Sequence, residues 1–120
     1  MKYPEIKNYV GGHYVESETG NFLDVLSPID GSLLSKVPLS SSLDLDKAVI
    51  AAKKAFETWS KTSIKDRVQI FYRYRTLLEK NMLELSQLVQ EENGKTLDEA
   101  RAEIEKSIEL TEFACSLPQL

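Results

Sequence analysis

Glu91-Glu92-Asn93-Gly94-Lys95-Thr96-Leu97-Asp98-Glu99-Ala100 marks where one amphipathic helix stops and another starts. Asn93-Gly94 suits the left-handed conformation that closes a helix, because glycine has no Cβ to meet the following carbonyl. Thr96 with Glu99 three residues on has the spacing of a capping box, which opens the next helix. Upstream, Met82, Leu85, Leu88 and Val89 recur three and four apart, in a helix that Asn81 with Glu84 is expected to open. Downstream, Leu97, Ala100, Ile104, Ile108 and Thr111 form the stripe of a last helix, and Pro118 marks its limit.

Two more helices precede these. Ser41 with Asp44 makes a capping box, followed by Leu45, Ala48, Val49, Ala52, Phe56 and Trp59 at helical spacing, a face that calls for burial. Ser63 with Asp66 opens the next, which presents Arg67, Ile70, Phe71, Tyr74, Leu77 and Leu78 on one side. The first forty residues read differently. Ile6 to Val10 and His13 to Val15 flank Gly11-Gly12, a pair that tolerates the positive φ angles of a tight hairpin turn. Phe22 to Leu26 and Leu33 to Val37 flank Ser27-Pro28-Ile29-Asp30-Gly31, where proline presets φ and glycine closes the turn. Pro38 confines the last strand to an edge or an end.

The expected fold class is α+β: two N-terminal β-hairpins, residues 1–40, followed by four amphipathic helices, residues 41–120. No β-α-β unit is present, so a nucleotide-binding parallel sheet cannot be built from this segment.

A net charge of -4 and an acidic pI argue against nucleic acid as a partner, since that affinity rests on clustered Lys and Arg. Phe71-Tyr72-Arg73-Tyr74-Arg75 interleaves aromatics with arginines, but on a helix these point in different directions. Met1-Lys2 leads into Tyr3-Pro4-Glu5 with no apolar run behind it, so neither a signal peptide nor a membrane span is expected. The cytoplasm is the expected compartment, and the single cysteine permits no intramolecular disulfide.

Several motifs invite chemistry and resolve into structure. Gly94-Lys95-Thr96 would need a glycine where Val89 stands, and a preceding strand, to cradle phosphate. Cys115 lies near a helix end rather than at its positively polarised start, and His13 lies in a hairpin with nothing to orient it, so Cys115 reads as a packing residue. Glu91, Glu92, Asp98, Glu99, Glu103 and Glu105 are first-turn and surface charges, and no second ligand type accompanies them to make a metal site. No catalytic, cofactor-binding or metal-binding residue is assigned.

Taken in order, several pieces resemble the N-terminal part of an aldehyde dehydrogenase. They are Tyr9-Val10-Gly11-Gly12 with Val15, Ser27-Pro28 with Gly31, Val37-Pro38, Asp44 to Val49 leading to Ala51-Ala52, Ala55-Phe56 and Trp59, then Arg67, and Glu92 to Leu97 with Glu99-Ala100. The tail Glu112-Phe113-Ala114-Cys115-Ser116-Leu117-Pro118 is similar to the branch containing the CoA-acylating methylmalonate-semialdehyde dehydrogenases. Lys106 stands where that branch usually has an arginine that helps hold the substrate carboxylate; it keeps the charge but not the bidentate fork.

The resemblance implies an α/β, Rossmann-like cofactor-binding domain of which this segment is an incomplete N-terminal part. It implies a cysteine thiolate attacking an aldehyde, hydride transfer to NAD or NADP, and thioester release to water or coenzyme A. The nucleophile, its amide partner, the general base and the glycine-containing cofactor segments come later in this family, so the segment alone is expected to be inactive. Its hairpins would lie near the contacts of a homo-oligomer, and its helices would cover the cofactor-binding sheet. Lys106 is the one candidate substrate contact, for a small acidic semialdehyde, with succinate semialdehyde as an alternative. A second class of function, a non-catalytic helical interaction module or truncated gene product, would use the same exposed stripes to bind a protein partner.

Overall fold

The computed structural model describes residues 1–119 and divides into two compact units, Met1–Lys61 and Thr62–Leu120. The first unit contains both hairpins and the first helix. β1 (Asn8–Val10) pairs antiparallel with β2 (His13–Val15), with Val10 opposite His13. Only Gly11 and Gly12 remain for the turn, at φ 61° and 87°, the positive values that matched this pair of glycines to a primed turn. Tyr9 and Tyr14 face each other across the strands, edge to face at 5.0 Å between ring centroids. β3 (Phe22–Leu26) pairs with β4 (Leu33–Pro38), with an irregularity between Val25 and Leu26. Pro38 is the last residue of β4, where its missing N–H costs the ladder nothing. The N-terminal segment runs beside β4: Tyr3 N–H donates to the Leu34 carbonyl at 2.8 Å, and Ser35 Oγ donates to the Pro4 carbonyl at 2.7 Å. Leu34 and Ser35 are consequently buried.

α1 (Ser42–Trp59) begins with the complete Ser41–Asp44 capping box. The first hairpin lies on this helix, where a Cβ added at Gly11 would meet the Ala51 Cβ at 4.0 Å. Burial of the whole apolar stripe is not realised. Ala48 is half-buried, whereas Leu45, Val49, Ala52, Phe56 and Trp59 stay exposed, because a hairpin of two three-residue strands is too small to cover a helix of five turns.

The second unit is helical. α2 (Ile64–Lys80) starts at Ser63, whose Oγ accepts from Asp66 N–H at 3.1 Å. α3 (Met82–Asn93) follows after one residue, and here the expectation that Asn81 caps α3 through its side chain is corrected. Asn81 Nδ2 instead donates to the Leu77 carbonyl at 2.7 Å. In so short a connection the side chain adds a second donor to the carbonyl that already accepts the Asn81 backbone N–H at 3.1 Å, and the Asn81 backbone does not take the extended N-cap conformation. α4 (Leu97–Ser116) packs against both α2 and α3, and a 3₁₀ turn, Leu117–Gln119, contains Pro118.

The core of this unit is Leu78 of α2 with Ile104 and Ile108 of α4, surrounded by the half-buried Met82, Leu85 and Val89 of α3. Each fully covered side chain of this size contributes about 1.5–3 kcal/mol. Ala100 and Ser86 are the most completely buried residues, and the Ser86 hydroxyl donates within its helix to the Met82 carbonyl at 2.7 Å. The stripe of α4 is thus largely covered by its neighbours. That of α2 is not: Val68 and Leu78 are buried, while Ile70, Phe71, Tyr74 and Leu77 remain exposed.

Candidate functional site

A thiol nucleophile needs a base within reach, and the one cysteine and the one histidine lie in different units. Cys115 is 6% exposed on the packed side of α4, with Ile108 and Thr111, and behaves as a small apolar residue. His13 is exposed on β2 in the other unit. No group of His, Cys, Asp or Glu capable of holding a metal ion is found among the described residues, and no helix there is long and apolar enough to cross a membrane.

The turn between α3 and α4 resembles an anion site only in sequence. Gly94, at φ 71° and ψ 20°, closes α3, with its N–H donating to the Gln90 carbonyl at 2.8 Å. Thr96 Oγ1 accepts from Glu99 N–H at 3.3 Å, while the Glu99 carboxylate accepts from Thr96 N–H at 2.9 Å. The Thr96 backbone N–H, with support from its hydroxyl, holds the Glu99 carboxyl below its ordinary range. Lys95 is ion-paired with Glu103. A carboxylate of the chain therefore already occupies the start of α4.

Lys106 projects from the outer side of α4, 67% exposed, with its ammonium 2.8 Å from Glu109 one turn on. A groove of about 320 Å³ opens between α2 and α4, lined by Tyr72, Arg75, Glu112 and Cys115. Its two charged groups are engaged with each other. Arg75 Nε donates to Glu112 at 2.7 Å and Nη1 to Glu79 at 2.8 Å, so the guanidinium bridges α2 to α4.

The most elaborate polar cluster is at Asp44, which is buried. Its Oδ2 accepts from Ser41 N–H at 2.8 Å, Ser41 Oγ at 3.0 Å and Ser17 Oγ at 2.9 Å, and its Oδ1 accepts from Glu18 N–H at 3.1 Å. The Ser41 N–H above all, opposed by burial and joined by the Glu18 N–H and the Ser17 hydroxyl, brings the Asp44 carboxyl from 3.8 to about 2. The capping box was expected from spacing, but the partners at Ser17 and Glu18 lie more than twenty residues away and carry no local signal. This cluster ties the segment after β2 to the start of α1.

Two surfaces are left without cover within their own units. On α1 it comprises Leu45, Val49, Phe56 and Trp59; on α2, Ile70, Phe71, Tyr74 and Leu77. Contiguous apolar area of this kind on a helix marks an interaction face. Arg67 lies on the α2 face, and its Nε is buried with no hydrogen-bond partner among the described residues. Its place on an otherwise apolar stripe was the available sequence signal.

The aldehyde dehydrogenase family model matches residues 14–119. Malonate-semialdehyde dehydrogenase 1 of Geobacillus thermodenitrificans is 47% identical over 115 residues, covering 96% of this chain and 24% of that protein. A Sinorhizobium meliloti 1021 crystal structure, assigned as methylmalonate-semialdehyde dehydrogenase and complexed with NAD, is 32% identical with a TM-score of 0.92, over 99% of this chain and 24% of that one. The NADP-dependent glyceraldehyde-3-phosphate dehydrogenase of Bacillus halodurans C-125, complexed with NADP, is 25% identical with a TM-score of 0.89, over 93% and 24%. The chain spans about a quarter of the length of these proteins. Two hairpins followed by four helices match the N-terminal part of this fold, as the sequence led us to expect. The chain belongs to the aldehyde dehydrogenase family.

Proposed function

We propose that this chain is the N-terminal part of an NAD(P)-dependent aldehyde dehydrogenase that oxidises a small acidic semialdehyde through a cysteine thioester. The observation that carries this reading is the 47% identity, across 96% of the chain, with a malonate-semialdehyde dehydrogenase. Release of the acyl group to coenzyme A is part of the proposal, supported by the likeness of residues 112–118 to the acylating branch. The role of the present residues is to cover and support. The α1 and α2 faces are apolar, uncovered and free of catalytic groups, which suits helices laid over a cofactor-binding sheet.

Within the complete enzyme, Lys106 is the residue proposed to meet the substrate carboxylate. Its solvent-exposed ammonium and its weak, exposed pairing with Glu109 support that use, since such a pair is readily exchanged for another carboxylate. A cytoplasmic homo-oligomer is the expected setting. A second reading, a non-catalytic helical interaction module, draws on the same uncovered faces, which would then bind an unrelated protein.

The test joins residues 1–120 to the remaining three-quarters or so of the Geobacillus enzyme. The chimera is expected to oxidise malonate semialdehyde with NAD, while the 120-residue chain alone neither binds NAD nor oxidises aldehydes. Saturable NAD binding by the 120-residue chain, or an inert chimera, would overturn the assignment.

A further inference from the structure

α4 carries six acidic side chains against two basic ones, Arg101 and Lys106. Most of its carboxylates are engaged away from Lys106: Glu99 by the Thr96 N–H, Glu103 by Lys95, Glu105 by Arg101 and Glu112 by Arg75. Glu109 is the carboxylate that meets it, one turn on, where Lys106 Nζ donates to Oε2 at 2.8 Å. Both side chains are about two-thirds exposed, so water surrounds the pair and neither partner is held in a fixed orientation by packing. What the pair does change is local charge. An ammonium is a compact point charge, and a carboxylate resting against it cancels much of the attraction that a second carboxylate would meet. Glu109 therefore disfavours an acidic ligand at Lys106 while leaving a neutral one unaffected. An exposed pair of this kind shifts an equilibrium by up to about fivefold.

We propose that Glu109 sets the preference of the complete enzyme for acidic over neutral aldehydes, by competing with the substrate carboxylate for the Lys106 ammonium. This rests on the proposed function, which brings that carboxylate to Lys106. Glu109 touches neither the reacting carbon nor the cofactor in this scheme; it acts through Lys106 alone. In the empty enzyme the ammonium rests on Glu109, and an acidic substrate must displace that partner or share the cation with it. A substrate without a carboxylate makes no such demand, so the effect of Glu109 is confined to acidic ones.

The test uses the Geobacillus chimera and the ratio of kcat/KM for malonate semialdehyde to kcat/KM for propanal, which has no carboxylate. Glu109→Gln keeps the shape of the side chain and removes its charge. It is expected to raise the ratio about twofold to fivefold, through a lower KM for the semialdehyde. Damage to helix packing would instead depress both substrates together. Lys106→Met is expected to lower the ratio, and adding Glu109→Gln to it should recover little, because the competition runs through the ammonium. In a chimera where Lys106→Met lowers the ratio, no change on Glu109→Gln would overturn the inference and leave the proposed function standing. An equal gain with and without Lys106 would mean plain repulsion by Glu109, and a fall on Glu109→Gln would mean that it orients Lys106 for the substrate; either would overturn it. A ratio indifferent to Lys106→Met would remove the Lys106 contact and this inference with it, and a chimera inert with both residues in place would remove the proposed function as well.

Discussion

Phe56 on α1 gives the sharpest measure of whether the helices await a cover. It is 65% exposed, although it sits on the stripe of an 18-residue amphipathic helix. A phenylalanine buries roughly 200 Å² when fully enclosed, so about 130 Å² remains to be covered. At about 25 cal/mol per Å² this corresponds to about 3 kcal/mol available on docking, and to about 2 kcal/mol already realised. Phe56→Ser should therefore change the urea stability of the 120-residue chain by no more than about 2 kcal/mol. In the chimera with the Geobacillus enzyme the full amount is at stake. An enzyme of that size does not unfold in two states, so the readout there is local opening of α1 by hydrogen exchange, expected to rise by about two orders of magnitude. A loss of about 4 kcal/mol or more in the 120-residue chain, or unchanged opening in the chimera, would refute the view that this face is covered only in the longer protein.

Three further outcomes are expected. Ile104→Ala removes a buried side chain from the only three-residue apolar core found in the helical unit's described residues. It should cost about 2–5 kcal/mol, enough to abolish exchange protection in Thr62–Leu120 while α1 and the hairpins keep theirs. Gly94→Ala forces a Cβ into the left-handed region at φ 71° and should lower the urea midpoint of the helical unit, by about 1 kcal/mol. Asp44 titrates lower in the folded chain than in the unfolded one, so its contribution is complete above about pH 4 and is lost as pH falls through about 2. Circular dichroism of the wild type should show α1 weakening across that interval, and Asp44→Asn should be weaker at neutral pH and lack the acid-dependent step.

How far the residues could be read depended on the range of the interaction. Gly11-Gly12, the Ser41–Asp44 and Thr96–Glu99 boxes, and the Asn93-Gly94 stop all act within four residues, and all appear as their spacing implies. Asn81 stands at the start of α3 as its position implies, but two helix ends compete for its side chain, and only the three-dimensional junction shows that the Leu77 carbonyl wins. The family could be recognised from ordered motifs, none of which was assigned a catalytic role. Arg75 and Glu112, thirty-seven residues apart, gave no hint that they would meet.

Periodicity alone established two hairpins and four helices, because backbone conformation follows from local sterics, capping and the spacing of apolar side chains. It could not say which stripes would find a partner. That depends on which faces the chain brings together: α4 closes over α2 and α3 and buries Ile104 and Ile108, while Phe56 on α1 and Leu77 on α2 are left in water. Burial is a property of pairs of surfaces, and a single helix specifies only one of them.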